Sequence, residues 1–288
     1  MGKDLHEKYS SVRELFEEAG DVLGFDLAAV CFQGPEEELS QTRITQPAIF
    51  VHSIAAFRLL QEKGFAPVMA AGHSLGEYSA LVAAGYLSFS EGISLVTLRG
   101  QLMQKAGDRA PGTMAALIGL EDQTVEKLCR ESGEVVVPAN FNAPGQVVIS
   151  GTHAGIEKVM ERAKAAGAKL VKKLNVSGAF HSPLMEYAVP DMKTRLAAVK
   201  MAKGRIPVAA NVTGEIENDS EKLRDLLVRQ ITHPVRWTES IERMISSGVI
   251  RFVEVGPGSV LSGLCRRINK SVDVANVGGA EQVDLFKV

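Results

Sequence analysis

Cysteine is scarce here: Cys31, Cys129 and Cys265 are the only three, far apart and odd in number. That excludes a disulfide framework and any zinc-type spacing, so no metal is expected and a reducing cytoplasm fits best. Neither sign of charge is in excess, with 32 Lys plus Arg against 34 Asp plus Glu and a net charge of -2. A nucleic-acid binder would usually carry a basic surplus, so nucleic acid is not an expected partner. Long apolar runs are missing as well, and none approaches the roughly 18 residues that a membrane span needs. The opening MGKDLHEKYSSVRELFEEAG is charged and amphipathic, without the apolar stretch of a secretory signal. His6 breaks the myristoylation pattern that Met1-Gly2 would otherwise begin. What is present is a globular composition, 45% hydrophobic and 23% charged over 288 residues. That length suits one large domain, or a large one with an insert. No heptad pattern announces an oligomer, and a monomer is the default expectation.

Helical periodicity alternates with short apolar runs, the mark of an α/β protein with a parallel sheet. Residues 4–19 read as an amphipathic helix. Gln46-Pro47 opens another that stops at Gly64, with Pro47 at the N1 position it tolerates. PVMAAG (67–72) and PVAANV (207–212) read as buried strands, and residues 90–106 and 184–200 as helices. Between them, TMAALIGL, EDQTVEKLCRESG, VVVPANF, GQVVISG, THAGIEKVMERAKAAG and KLVKKLNV run β-α-β-β-α-β. That is the split-βαβ or ferredoxin-like order. It predicts a small subdomain over 111–178, inserted into a hydrolase-like α/β subdomain of residues 1–110 and 179–288. The chain then alternates through helices at 220–230 and 237–247, the strand RFVEVG, the helix SVLSGLCRRI and a strand-helix tail.

Gly72-His73-Ser74-Leu75-Gly76 fits G-x-S-x-G between a strand and a helix, the setting of a nucleophile elbow. So sharp a turn strains its central residue, and the flanking glycines are expected to remove clashing Cβ atoms. Ser74 would stand over a helix N-terminus, with the Leu75 N–H as first donor to an oxyanion. A base is needed. His73 adjoins the nucleophile but points elsewhere, and His6, His52 and His153 fall on surface-type helices or turns. His181, in a strand-to-helix loop at the same sheet edge as Ser74, is favoured by position over His233. No Asp or Glu ends a parallel strand between Ser74 and His181, and Glu254 follows both histidines, so a dyad is expected with its imidazole oriented by a backbone carbonyl. Arg99 shares a helix face with Leu95, Val96, Leu102 and Met103 and must therefore face inward. Two roles are open to it: a structural ion pair or snorkelling stem, and a bidentate clamp on a substrate carboxylate.

Together, TQPA at 45–48, GHSLGEYSALVAAG, LRG at 98–100, NFNAPGQVVISG, GAFHSPLM, VRQITHPVRW and VEVGPGSVL resemble the malonyl-CoA:acyl-carrier-protein transacylases of fatty-acid synthesis. The resemblance runs from about residue 2 to the C-terminus. It implies a hydrolase-like α/β subdomain with a ferredoxin-like insert, and malonyl transfer from malonyl-CoA to the phosphopantetheine thiol of acyl carrier protein. No cofactor is implied beyond the phosphopantetheine that the partner carries. Ser74 is implied as nucleophile, His181 as base and Arg99 as partner of the malonyl carboxylate. Gln230 matches the residue whose main-chain carbonyl steadies the imidazole, and Phe180 resembles the malonyl-selecting version of its loop. The family opens with a strand and a Gly-Gln-Gly loop that gives a second oxyanion N–H, whereas Met1-Gly2-Lys3-Asp4-Leu5 resembles the segment after that loop. The expectation is then weak activity and aggregation, or another segment in the gap, with Gln46 beside Pro47 as first suspect for the second donor. Two rivals stand beside this reading, a serine hydrolase or thioesterase and a truncated, inactive carrier-protein binder. Lys169, Lys172, Lys173, Arg266 and Arg267 are candidates for carrier docking. Asn140, Asn142 and Gly256-Pro257-Gly258 are candidates for the cleft lining.

Overall fold

The computed structural model describes residues 1–288. Its strands are β1 (Ala70–Ala71), β2 (Thr113–Ile118), β3 (Val136–Ala143), β4 (Gln146–Gly151) and β5 (Leu170–Lys173), then β6 (Val208–Ala209), β7 (Ile216–Glu217), β8 (Arg251–Val255) and β9 (Asp273–Val277). The middle four form one antiparallel sheet in the order β3-β4-β2-β5. That order, with a helix in each crossover, is the ferredoxin-like arrangement. β2 and β4 pair without a slip from Thr113 against Gly151 to Ile118 against Gln146. The period-2 alternation sends Ala115, Leu117, Val147 and Ile149 to one face. There they meet Val125 and Cys129 of the Asp122–Arg130 helix and Ile156, Val159 and Ala163 of the His153–Ala165 helix. The other face presents Met114, Ala139 and Val148 to the rest of the molecule, with Phe180 packed on them.

The remainder is an α/β layer with helices on both sides. β1 and β6 are parallel, β7 adds to β6 antiparallel, and β8 and β9 make a separate parallel pair. Two long helices, Thr42–Glu62 and Phe89–Arg109, contribute more residues to the main core than any other elements. They approach closely at Gly100, where a Cβ would lie 3.0 Å from both Arg43 Cα and Thr42 O. This closeness later lets Gln46 reach Arg99. Val235 joins the two halves: its N–H donates to Ala139 O and its carbonyl accepts from Phe141 N–H, both at 2.9 Å.

Several expectations need correction. The helix begins at Thr42 rather than at Gln46-Pro47, so Pro47 sits in its interior. Pro47 is buried there, and tertiary packing outweighs the hydrogen bond that its missing N–H forfeits. PVMAAG and PVAANV form ladders of only two residues each, because most of each run lies beside no neighbouring strand. Residues 184–200 are not one helix: a 3₁₀ turn (Pro183–Ala188) precedes an α-helix (Val189–Ala198), with Pro190 in the latter's first turn. No helix is long and apolar enough to cross a membrane.

Candidate active site

The elbow follows β1 and feeds the Gly76–Ala83 helix. Ser74 has φ 54°, a left-handed backbone rare for a residue with a side chain. Gly72 is obligatory, since a Cβ there would lie 1.9 Å from Gly76 O. Gly76 meets nothing within 4 Å, so only one of the two flanking glycines relieves a clash. Asn211, just beyond β6, braces the turn from the side. The Ser74 N–H donates to its Oδ1 and its Nδ2 donates to Gly72 O, each at 2.7 Å.

His181 lies 3% exposed with its Nε2 2.7 Å from Ser74 Oγ and its Nδ1 2.8 Å from Gln230 O. A carbonyl only accepts, so Nδ1 carries the proton and Nε2 presents a lone pair to the serine hydroxyl. Burial, then the neighbouring Arg99 guanidinium, push the imidazole pKa down to about 3, which keeps it neutral and able to take a proton. His233 is exposed and bonds to Arg229 O, away from Ser74. His73 turns its Nε2 to Asn142 Oδ1 at 2.8 Å. His52, expected on the surface, is buried against Gly278 O.

Arg99 is 1% exposed. Its Nη1 donates to Gln46 Oε1 at 2.6 Å, and its Nη2 to Ser74 Oγ and Gln230 Oε1, both at 2.9 Å. Its Nε has no partner, and the chain's ion pairs do not include it. A cationic fork therefore sits beside Ser74 Oγ, held by neutral oxygens and lying over the Tyr78 ring, 5.7 Å from its centre. Of the two roles open to Arg99, the structural ion pair is thus not realised. Gln46, the first suspect for a second oxyanion donor, lies inside a helix, accepts from Arg99 and turns its Nε2 to Thr42 Oγ1. The Leu75 N–H takes no backbone or side-chain acceptor and adjoins Ser74.

Sequence reasoning missed Glu77 and Asn211. Glu77 is 1% exposed, with Oε2 accepting from Gln230 Nε2 at 2.6 Å and Oε1 from the Asn211 N–H at 3.1 Å. Burial lifts its pKa to about 7, against the downward pull of Gln230, Asn211 and Arg99. A polar residue within the apolar run PVAANV was the available signal for Asn211. Glu254 is engaged elsewhere, accepting from the Leu261 and Ser262 N–H groups in the first turn of the Val260–Ile268 helix. Phe180 stands half-buried before His181, between the two hydrophobic cores. Asn140 is buried in β3 rather than lining an open cleft. Lys169 and Arg267 border one shallow groove, with Arg267 bonded to Gln146 Oε1; Lys172, Lys173 and Arg266 are exposed.

A strained serine, a neutral imidazole fixed by a carbonyl and a free N–H beyond the nucleophile are the parts of covalent acyl transfer. The chain belongs to the acyl transferase domain family, whose model matches residues 1–285. It is 47% identical to the malonyl CoA-acyl carrier protein transacylase of Escherichia coli (strain K12) over 271 residues, covering 93% of this chain and 88% of that one. It is 41% identical to the Bacillus subtilis protein of the same name, covering 99% and 91%. Among solved structures, an acyl carrier protein S-malonyltransferase from Vibrio cholerae superposes with a TM-score of 0.95 at 46% identity, covering 100% of this chain and 95% of that one. A malonyl-transacylase in complex with a type II PKS acyl-carrier protein also gives 0.95, at 44% identity and 99% and 93% coverage.

Proposed function

We propose that this chain moves a malonyl group from malonyl-CoA to the phosphopantetheine thiol of acyl carrier protein, for fatty-acid biosynthesis, through a malonyl ester on Ser74. The observation that carries this reading is Arg99. A fully buried guanidinium beside the nucleophile, with only neutral acceptors, leaves a charge that a substrate carboxylate completes. Malonyl supplies that carboxylate at the far end of its acyl chain. The similar proteins' names point to the same donor and acceptor.

In the first half-reaction His181 Nε2 takes the Ser74 hydroxyl proton as Oγ attacks the thioester carbonyl. The oxyanion forms against the Leu75 N–H, and the thiol of CoA leaves with the proton returned by His181. In the second, His181 takes the proton of the carrier thiol, whose sulfur attacks the serine ester; the proton then returns to Ser74 Oγ. Gln230 O holds the imidazole tautomer throughout. Arg99 grips the malonyl carboxylate, and the Phe180 ring limits room for a branched acyl group. The only prosthetic group this reaction asks for, phosphopantetheine, arrives on the carrier protein. Three buried thiols without disulfides agree with a cytoplasmic site of action.

Radiolabelled malonyl-CoA provides the test. Label is expected on Ser74, stable in buffer and discharged by added carrier protein. Release to water instead identifies a hydrolase, and absence of label a binder. Ser74→Ala should abolish labelling; undiminished labelling of that variant overturns the assignment.

A further inference from the structure

The imidazole of His181 touches no carboxylate, yet one stands a layer behind it. Glu77 is three residues beyond Ser74 on the elbow's own helix, and its two oxygens hold two different parts of the site. Oε2 accepts from the side chain of Gln230 at 2.6 Å. Gln230 in turn accepts His181 Nδ1–H on its carbonyl, accepts Arg99 Nη2 on its Oε1, and donates to Ser74 O at 2.9 Å. Oε1 accepts the N–H of Asn211 at 3.1 Å, and Asn211 holds Ser74 N–H and Gly72 O. Base, clamp and nucleophile backbone all trace back to this one side chain.

Burial of such a group is unfavourable in itself. A carboxylate out of water, without a cation in contact, destabilises the fold, and an apolar residue of similar volume would pack there more easily. The amide of Gln230 relays the missing pairing, with the guanidinium on its oxygen and the carboxylate on its nitrogen. Charge at both ends fixes which way the amide points, and with it the placement of the Gln230 backbone that His181 reads.

We propose that Glu77 is a positioning residue for acyl transfer, acting through Gln230 and Asn211 to hold His181 and the elbow in register. It is the acid of a triad set back by one residue from the imidazole. This rests on Ser74 and His181 as the reacting pair, but not on malonyl as the acyl group.

The test compares wild type, Glu77→Gln and Glu77→Asp in single-turnover acylation, with malonyl-CoA and separately with a fluorophosphonate that needs only an activated serine. Glu77→Gln keeps the volume but sets an NH₂ against a donor. Both acylation rate constants should fall about 10- to 100-fold, the scale of a lost outer-layer partner, while KM for malonyl-CoA stays within about threefold. Glu77→Asp keeps the charge but shortens the reach, so the rates should rank Glu above Asp above Gln. Rates within about twofold of wild type overturn the proposal, as does a rise in KM with kcat unchanged. If Glu77→Gln does not fold, Glu77→Asp decides alone by the same two criteria. Loss of the fluorophosphonate rate in the variants sustains the proposal even where wild type ignores malonyl-CoA, which would overturn only the substrate.

Discussion

The antiparallel sheet of β2–β5 and the parallel strands around the elbow hold their shapes by different means. In β4 five of six residues are buried, and β2 pairs with it along its whole length. In β8 no residue is buried, and β1 meets its one partner over two residues. The small half is thus built by its own ladders and a local apolar pattern. The catalytic half is built by two long helices below and by side-chain hydrogen bonds above, through Asn211, Gln230 and Glu77. Backbone ladders specify register and the face that each side chain takes, but not how a polar group is oriented on that face. Polar networks specify that orientation, and each fully satisfied member rigidifies its neighbours. Precision at Ser74 therefore rests on a few long-range contacts, and single substitutions there should be felt locally and strongly.

The largest expected effect is that of His181→Ala, which should slow both half-reactions by about 10² or more. His233→Ala, altering an exposed ring outside the network, should leave both rates within about twofold. If His233→Ala proves the more damaging, the base has been misassigned. Amide exchange in β2 and β4 should be unchanged by either substitution; a change there would break the separation between the halves.

Next comes Arg99→Ala. Removal of a charge-assisted partner, worth about 1.5–3 kcal/mol, should move the kcat/KM ratio of malonyl-CoA to acetyl-CoA by about 10- to 100-fold towards acetyl. An equal loss on both substrates would make Arg99 a structural residue. Arg99→Lys should restore only part of the ratio, because an ammonium lacks the planar fork.

Much of this was legible in the sequence, and the exceptions share a cause. The elbow showed because G-x-S-x-G is a local backbone requirement, here imposed by Gly72. Arg99 showed because its spacing from Leu95, Val96, Leu102 and Met103 turns it inward. The β2–β5 order showed because short apolar runs and helical segments follow one another as β-α-β-β-α-β within the chain itself. Glu77 did not: an acid in the first turn of a helix is explained by the dipole alone, and nothing local says that it faces Gln230, 153 positions away. Asn211 was hidden likewise, its partners lying 137 and 139 residues back. The true helix start at Thr42 escaped because Pro47 is the stronger local signal, and tertiary packing overrode it.

Asn211→Ala should be the sharpest probe of how the catalytic half is held. It orphans the Ser74 N–H and Gly72 O, and burying an unsatisfied polar group costs about 1–3 kcal/mol. The melting temperature should fall by several degrees, and acylation should slow while KM holds. Preserved melting and activity would mean that β1 and β6 fix the elbow unaided.

The smallest effect is one of pH, and it arises from two groups of the catalytic half that oppose each other. His181 titrates near 3 in the folded chain against an ordinary 6.5, so between those values the unfolded state binds more protons and stability is lost as pH falls. Glu77 titrates near 7 against an ordinary 4.5, so the folded state binds more protons in that window and stability is lost as pH rises. From about pH 5 to 6.5 the two slopes largely cancel, each bounded by about 1.4 kcal/mol per pH unit for one proton. Glu77→Gln removes one of them. Its melting temperature should then climb with pH across that window more steeply than that of wild type. Parallel curves for the two proteins would show that Glu77 titrates where free carboxylates do, and that its burial is better compensated by Gln230, Asn211 and Arg99 than its isolation from a contacting cation implies.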